Sequence, residues 1–174
     1  MKSYPTQAEL RAAVDYNPET GIFTWRARPG LTKGERIFNL NFAGKKAGSL
    51  QLNGYAVIRI NQRLLYSHRL AWIWMTGRPP AHSIDHIDGD PANNRFCNLR
   101  EVSPSQNSQN AKRRRDNTSG FKGVWFNRDA KCYQARISFQ RKIHHLGSFN
   151  CAREAHEAYA RAAQKLHGEY ARVD

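Results

Sequence analysis

The sequence predicts an α+β fold built from two modules. Short runs with apolar and polar residues in alternation, typical of strands, are interspersed with stretches of helical periodicity. Residues 112–118 combine a run of basic residues with small polar ones, which is the composition of a linker. Three strand-like runs and one helical stretch follow that linker. We therefore expect one module over residues 1–111 and a second over residues 119–174.

The first half of module one is predicted to mix helices with a β-hairpin. Thr6 and Glu9 have the spacing of a capping box, which predicts a helix over about residues 6–15 that ends before Pro18. The remaining predictions are a strand at residues 21–25, a hairpin over residues 48–65 that turns at Asn53-Gly54 with a further turn at Asn61-Gln62, and a helix over residues 66–76 that ends before Pro79-Pro80.

The second half of module one is polar. Residues 83–98 are rich in Asp, Asn and Gly, and a short apolar-containing run, residues 99–102, follows them. Pro104 suits the first turn of a helix, so we expect one over about residues 104–111.

The second module is predicted to contain three strands and one helix. Alternating runs occupy residues 121–127, 133–139 and 142–146, and the third ends at Gly147. After it, the helical spacing places one apolar face along Ala152, Ala155, Ala158, Tyr159, Ala162, Ala163 and Leu166.

The charge of the chain points to a polyanionic partner. The sequence contains 28 Lys and Arg against 14 Asp and Glu, a formal net charge of +14 with a pI of about 10.2. Residues 1–108 contribute +6 and residues 109–174 contribute +8, so the excess is denser in the second part. No apolar run approaches the roughly 20 residues of a spanning helix, and we expect no membrane partner.

Cys97, Cys132 and Cys151 are widely spaced and form no C-x-x-C pair. This spacing argues against a cysteine zinc cluster and predicts free thiols in a reducing compartment. We therefore expect a cytoplasmic protein.

Asp85-His86, followed by Asn98 and by Asn107, forms an ordered motif within residues 84–107. This segment strongly resembles the HNH endonuclease family, in particular its phage homing-type members, and residues 67–72 resemble the helix that precedes the motif there. The resemblance implies a ββα-metal fold within residues 66–111. It also implies that His86 is the general base, that Asp85 and Asn107 hold the metal, and that Asn98 orients the base across the loop.

The residue types fit that chemistry. A neutral imidazole can take a proton from water at physiological pH, and carboxylate and amide oxygens are ligands for Mg²⁺ or Mn²⁺. Many members of the family have His at the position of Asn107. A phage homing-type branch of the family has Asn there, so the resemblance implies a single-metal site that nicks DNA. Asn110, one helical turn on, is a lesser alternative ligand. His68 is expected to be a buried, hydrogen-bonded histidine of the core.

Residues 119–125, 133–137, 146–149 and 152–160 resemble, in order and spacing, the APETALA2-type DNA-binding domain. The resemblance implies a three-stranded antiparallel sheet laid in the major groove of double-stranded DNA and backed by the last helix. Alternation places Gln134, Arg136 and Ser138 on one face of the middle strand. The predicted DNA contacts are Arg113, Arg114, Lys122, Trp125, Arg128, Arg136, Ser138, Lys142 and His145.

Together these patterns predict a site-specific, Mg²⁺- or Mn²⁺-dependent DNA endonuclease of the homing type. We expect a monomer that works in the host cell cytoplasm if a phage encodes it. The alternative is a sequence-specific DNA-binding regulator with an inactive nuclease domain.

Overall fold

The structure is a computed structural model that describes residues 4–111, 113 and 116–173, without the side chain of Glu169. The chain divides into two compact units, Met1–Val102 and Ser103–Asp174. Both contain helices and small antiparallel sheets, so the predicted α+β class is confirmed. Within the described ranges, no helix has the length and apolar character needed to cross a membrane.

The first unit contains three α-helices and seven strands. Its helices are α1 (Gln7–Ala13), α2 (Lys33–Phe42) and α3 (Ser67–Thr76). Its strands are β1 (Val14–Asn17), β2 (Ile22–Trp25), β3 (Ser49–Leu50), β4 (Ala56–Ile60), β5 (Arg63–Tyr66), β6 (Ser83–His86) and β7 (Leu99–Val102). They pair as a β1–β2 hairpin, a β3–β4–β5 meander and a β6–β7 hairpin, all antiparallel.

One hydrophobic core joins these elements. Its fully buried members include Leu10 of α1, Val14 of β1, Ile58 of β4, and Leu70 and Ile73 of α3. The apolar stripe of α3 therefore packs on the sheets as its helical spacing predicts. Gly77 ends α3 in the left-handed conformation that glycine adopts without steric cost.

The predicted elements of this unit are confirmed with two differences. The capping box of Thr6 and Glu9 starts α1, and Asn61 and Gln62 form the turn between β4 and β5 with positive φ. However, α1 ends at Ala13, because alternate burial of Val14 and Tyr16 makes β1 a strand. Helix α2 was not predicted, although Thr32 and Glu35 form a second capping box at its start.

The second unit contains a three-stranded antiparallel sheet packed on one long helix. Its elements are α4 (Pro104–Gln109), β8 (Val124–Asn127), β9 (Cys132–Phe139), β10 (Lys142–Phe149) and α5 (Ala152–His167), with sheet order β10–β9–β8. Ala135 and Ile137 of β9 pack on Ala155, Tyr159 and Ala163 of α5.

The expectation that the third run ends at Gly147 is wrong. A bulge between His145 and Gly147 lets β10 continue to Phe149, because the extra residue is absorbed in one strand without ending the pairing. Gly123 precedes β8 with φ +74, and a Cβ there would collide with the ring of Tyr159.

The first residues of the second unit are held by Lys122. Its ammonium group donates to the backbone carbonyls of Gln109 and Ala111, at 2.8 and 2.6 Å, at the end of α4. The boundary between the two units, at Val102/Ser103, lies earlier in the chain than the predicted linker. Helix α4 therefore belongs to the second unit. The linker of residues 112–118 stays a prediction, since residues 112, 114 and 115 lie outside the described residues.

Candidate active site and nucleic-acid face

The predicted catalytic pair stands at the end of strand β6. Within β6, Ile84 and His86 are buried toward the core, whereas Asp85 points to the opposite face, where it lies across from Arg100 of β7. His86 is 5% exposed. Strand β6 ends at His86, so the chain beyond it can leave the plane of the strand pair.

Asn98 holds the loop between β6 and β7. Its side-chain oxygen accepts from the backbone amide of Asp88 at 3.0 Å, and its amide group donates to the Asp88 carboxylate and the Asn93 carbonyl, both at 2.9 Å. Burial opposes ionisation of Asp88, yet hydrogen bonds from the Asp90 backbone and from Asn98 and Asn93 lower its pKa. The loop is therefore locked at both ends by one buried amide.

His86 makes a side-chain hydrogen bond that fixes its ring. Its Nε2 lies 3.3 Å from Oδ1 of Asn94. The amide nitrogen of Asn94 donates to the carbonyl of Ala92 at 3.0 Å, so the oxygen is the atom that faces His86. An amide oxygen only accepts, hence Nε2 carries the proton and Nδ1 has the lone pair. Nδ1 is then the nitrogen able to act as a base.

Asn94 is itself held from the N-terminal hairpin. The buried hydroxyl of Tyr16 donates to the Asn94 carbonyl at 2.7 Å, and the amide of Phe96 donates to the carbonyl of Pro18 at 2.9 Å. Gly21, at the same turn, approaches the Asn94 backbone so closely that a side chain would not fit. Burial raises the pKa of Tyr16, so its hydroxyl stays a donor. Sequence reasoning missed Asn94 and Tyr16.

His68 of α3 packs directly against His86. The two rings meet edge to face with centroids 5.2 Å apart, and Tyr55 and Tyr66 contact the His68 ring. His68 is 6% exposed, as predicted for a core histidine. Its Nδ1, however, has no hydrogen-bond partner among the described residues, so the expectation of a satisfied histidine is wrong. Burial, the His86 charge and Arg69 lower the pKa of His68 to about 3.

Asp85 forms an ion pair with Arg100. Two nitrogens of the guanidinium, Nε and Nη2, approach Oδ2 of Asp85 at 3.1 and 3.0 Å, and both side chains are largely buried. A hard oxygen donor is thereby held in a defined position next to His86 in the sequence. This carboxylate has the chemistry that Mg²⁺ or Mn²⁺ requires of a ligand.

Asn107, the second predicted ligand, lies on α4 in the second unit, and Asn110 caps that helix. The amide oxygen of Asn107 is a hard donor, like the carboxylate of Asp85. The chemistry of these two predicted ligands therefore suits a hard divalent cation rather than a soft one. In the part of the chain that the structure describes, no cluster of three His, Cys, Asp or Glu side chains is placed to hold a metal. Cys97, Cys132 and Cys151 are free thiols.

The second unit presents an exposed aromatic and basic face. Trp125 of β8 and Arg136 of β9 share the side of the sheet opposite α5, where the guanidinium lies 4.6 Å from the indole centroid. His145 of β10 lies opposite Arg136 and contacts Trp125 edge to face. Ser138 is exposed two residues beyond Arg136. Arginine over an indole is a favourable cation–π arrangement that holds both groups outward.

The other predicted DNA contacts are dispersed. Arg128 and Lys142 are exposed beyond the ends of the aromatic face, and Arg113 donates to the Asn117 carbonyl. Lys122 is engaged with the α4 carbonyls rather than with the face. Arg114 lies outside the described residues.

The segment that contains Asp85, His86, Asn98 and Asn107 is similar to a known protein family. A family model described as "HNH endonuclease" matches residues 65–109. Protein 3.8 of Escherichia phage T7 is 35% identical over 94 residues, which is 54% of this chain and 77% of that protein. The solved structure of the HNH homing endonuclease I-HmuI, described for DNA binding and cleavage, is 24% identical with a TM-score of 0.40. That match covers 56% of this chain and about half, 51%, of the other. The chain thus belongs to the same family as Protein 3.8 of phage T7, and its residues 65–109 form an HNH endonuclease domain.

Proposed function

We propose that this protein is a divalent-metal-dependent DNA endonuclease of the homing type that nicks one strand at a site selected by its second unit. The observation that carries the proposal is the fixed tautomer of His86. The side-chain oxygen of Asn94 accepts a hydrogen bond from Nε2–H, and this leaves Nδ1 as a base at the end of β6. Orientation of an imidazole by a partner on its other nitrogen is the arrangement expected of a general base.

In this proposal, each side chain has a separate task. His86 takes a proton from the attacking water through Nδ1, and Asn94 holds the ring in place. Asn98 holds the loop between β6 and β7 in its conformation through hydrogen bonds to Asp88 and Asn93, and this loop positions Asn94 beside His86. Burial excludes protonation of His68, which therefore adds no positive charge beside the base.

Asp85 and Asn107 are the proposed metal ligands, with Asn110 as the lesser alternative. A bound Mg²⁺ or Mn²⁺ would neutralise charge at the scissile phosphate and stabilise the leaving oxygen. Arg100 orients the Asp85 carboxylate through Oδ2.

The second unit is proposed to be an APETALA2-type reader of double-stranded DNA. The support is its three-stranded sheet backed by one helix, with Trp125 half-buried and Arg136, Ser138 and His145 exposed on the opposite face. An arginine at the edge of a base pair can bind guanine with two hydrogen bonds. Arg113, Arg114, Arg128 and Lys142 are proposed to contact phosphates.

We further propose that the protein acts as a monomer in the host cell cytoplasm. The support is its free thiols, which suit a reducing compartment, and the resemblance to a phage protein.

A supercoiled-plasmid assay tests the nuclease proposal. The wild type is expected to convert plasmid to open circles with Mg²⁺ or Mn²⁺ and to be inactive in EDTA. His86→Ala should lose at least about a hundredfold in rate, since a general base contributes roughly 10²–10⁴-fold. His82→Ala, which removes an exposed histidine four residues away, is the matched control. A wild type that binds its site but never cuts would instead favour the DNA-binding regulator.

A further inference from the structure

The first unit contains a basic segment with no part in its core. Residues 26–46, here called the basic excursion, include helix α2 and contain six basic side chains and one acidic one. The whole of residues 1–102 has 14 basic and 8 acidic side chains, so nearly all of the net charge of this unit lies in the excursion. No residue of the excursion is buried. Its sequence therefore serves something other than core packing.

The excursion begins and ends at the same place. The carbonyl of Trp25 accepts from Gly44 at 2.8 Å, and the amide of Trp25 donates to the carbonyl of Lys45 at 2.9 Å. An isolated antiparallel β-bridge also joins Thr24 of β2 to Lys46. A segment whose two ends are fixed side by side on a strand can hold its cations at defined positions.

Internal contacts keep the excursion ordered. The Asn39 side chain exchanges hydrogen bonds of 2.8 and 2.9 Å with the backbone of Arg28. Phe38 lies between Trp25, edge to face at 5.6 Å, and the Arg28 guanidinium at 3.7 Å. Little conformational entropy is then left to be lost when these cations meet a partner.

The outer surface of the excursion combines cations with leucine side chains. Lys33, Lys45 and Lys46 are exposed, and among the described residues none of them lies in an ion pair. Leu31 and Leu40 are 83% and 82% exposed. Separated cations on a rigid frame suit a regular polyanion, and apolar side chains beside them can pack against sugars and bases.

The excursion is connected to the active-site loop by a short strand. The turn of the β1–β2 hairpin contacts that loop through Pro18 and Gly21, and the excursion starts at the far end of β2, after Trp25. Strand β2 spans four residues, so about 10 Å separates its two ends at a rise of roughly 3.3 Å per residue. This equals about three nucleotides at 3.4 Å each along one strand.

We propose that the basic excursion is a second DNA-binding surface, one that holds the phosphate backbone of the duplex beside the cleavage site independently of sequence. It rests on the proposed action on DNA. The occupant is duplex DNA because the charge of the excursion is complementary to it and its root lies on the hairpin that supports His86. The second unit then selects the site, and the excursion holds the DNA at the nuclease unit.

The test measures binding of the full chain to a non-cognate duplex in EDTA as a function of salt. The variant Lys33→Gln/Lys45→Gln/Lys46→Gln removes three charges from the excursion. The control Arg59→Gln/Arg63→Gln/Arg78→Gln removes three exposed charges elsewhere in the unit. The excursion variant should bind at least about tenfold more weakly at low salt. Its slope of log K against log salt should be shallower by about 2–3, near 0.9 per lost phosphate contact.

Equal behaviour of the two variants would overturn the proposal. So would a variant that binds duplex as the wild type does but loses binding to vesicles of anionic phospholipid, because the surface would then face a membrane. Failure of the wild type to bind any duplex would instead reject the proposed action on DNA. Cleavage by the wild type in Mg²⁺, with no difference between the variants, would reject the excursion alone.

Discussion

The imidazole Nε2 of His86 lies 3.3 Å from the side-chain oxygen of Asn94, and Tyr16 holds the backbone of Asn94 from another hairpin. These contacts decide which ring nitrogen has a lone pair. They also join the N-terminal β1–β2 hairpin to His86, because Tyr16 of that hairpin hydrogen-bonds the Asn94 carbonyl. Tyr16, which lies outside the HNH motif, and Asn94, which lies between its Asp85-His86 and Asn98, thereby determine the tautomer of His86.

Asn94→Ala should lower kcat by about 10–100-fold, the usual effect of losing a group that orients a reactive side chain, with little change in KM. Asn94→Asp should retain more activity and shift the acidic limb of the pH–rate profile to higher pH, because a carboxylate stabilises the protonated ring. Gln51→Ala, at an exposed turn, is the control. An effect on KM alone would contradict the positioning role.

His68 makes the stability of the first unit depend on pH. Its pKa is about 3 in the folded state and near 6.5 when unfolded, so the unfolded chain binds the proton first as pH falls. The stabilisation is complete above about pH 6.5 and is lost progressively toward pH 3. Between pH 7 and pH 4 the wild type should lose about 2–4 kcal/mol more than His68→Gln in urea unfolding. A parallel pH dependence in the two proteins would contradict this, and His82→Gln is the matched control.

The Asp85–Arg100 pair can be tested with a double-mutant cycle. Arg100→Gln should lower the free energy of unfolding by about 2–4 kcal/mol, because a largely buried carboxylate loses its charged partner. Asp85→Asn/Arg100→Gln should cost less than the sum of the single changes, with a coupling energy of about 1–3 kcal/mol. Urea unfolding of the four proteins measures it, and additive effects would show that the pair contributes no coupling.

Arg136 and Lys122 are predicted to differ in their effects on DNA binding. Arg136→Gln should weaken binding to the cognate site by about 1–3 kcal/mol and relax its base preference, without changing stability. Lys122→Gln should instead destabilise the second unit, because the ammonium group holds the carbonyls at the end of α4. Competition binding and thermal unfolding separate the two effects. Equal loss of specificity in both variants would show that Lys122 contacts DNA as Arg136 does.

The sequence predicted the elements whose signals are local. The capping box of α1, the turns of the β3–β5 meander and the apolar stripe of α5 depend on neighbouring residues, and the structure contains each of them. Helix α2 was missed because its residues bury nothing, so it lacks the apolar periodicity of a packed helix.

In the candidate site, too, the part that the sequence can predict is the local one. Asp85, His86 and Asn98 form a local motif that is readable without a structure. The roles of Asn94 and Tyr16 depend on a contact across 78 residues, and the engagement of Lys122 depends on where α4 ends. Contacts between distant segments leave no periodic signal along the chain.

The return of the chain to Trp25 at the base of the excursion has an evolutionary consequence. Insertions or deletions between residues 26 and 44 need not propagate into the sheets, because both ends remain anchored on β2. This part of the protein can therefore vary in length and charge while the β6–β7 hairpin that contains Asp85 and His86 keeps its structure. The number of cations in the excursion can in this way change without any rearrangement of the strands around His86.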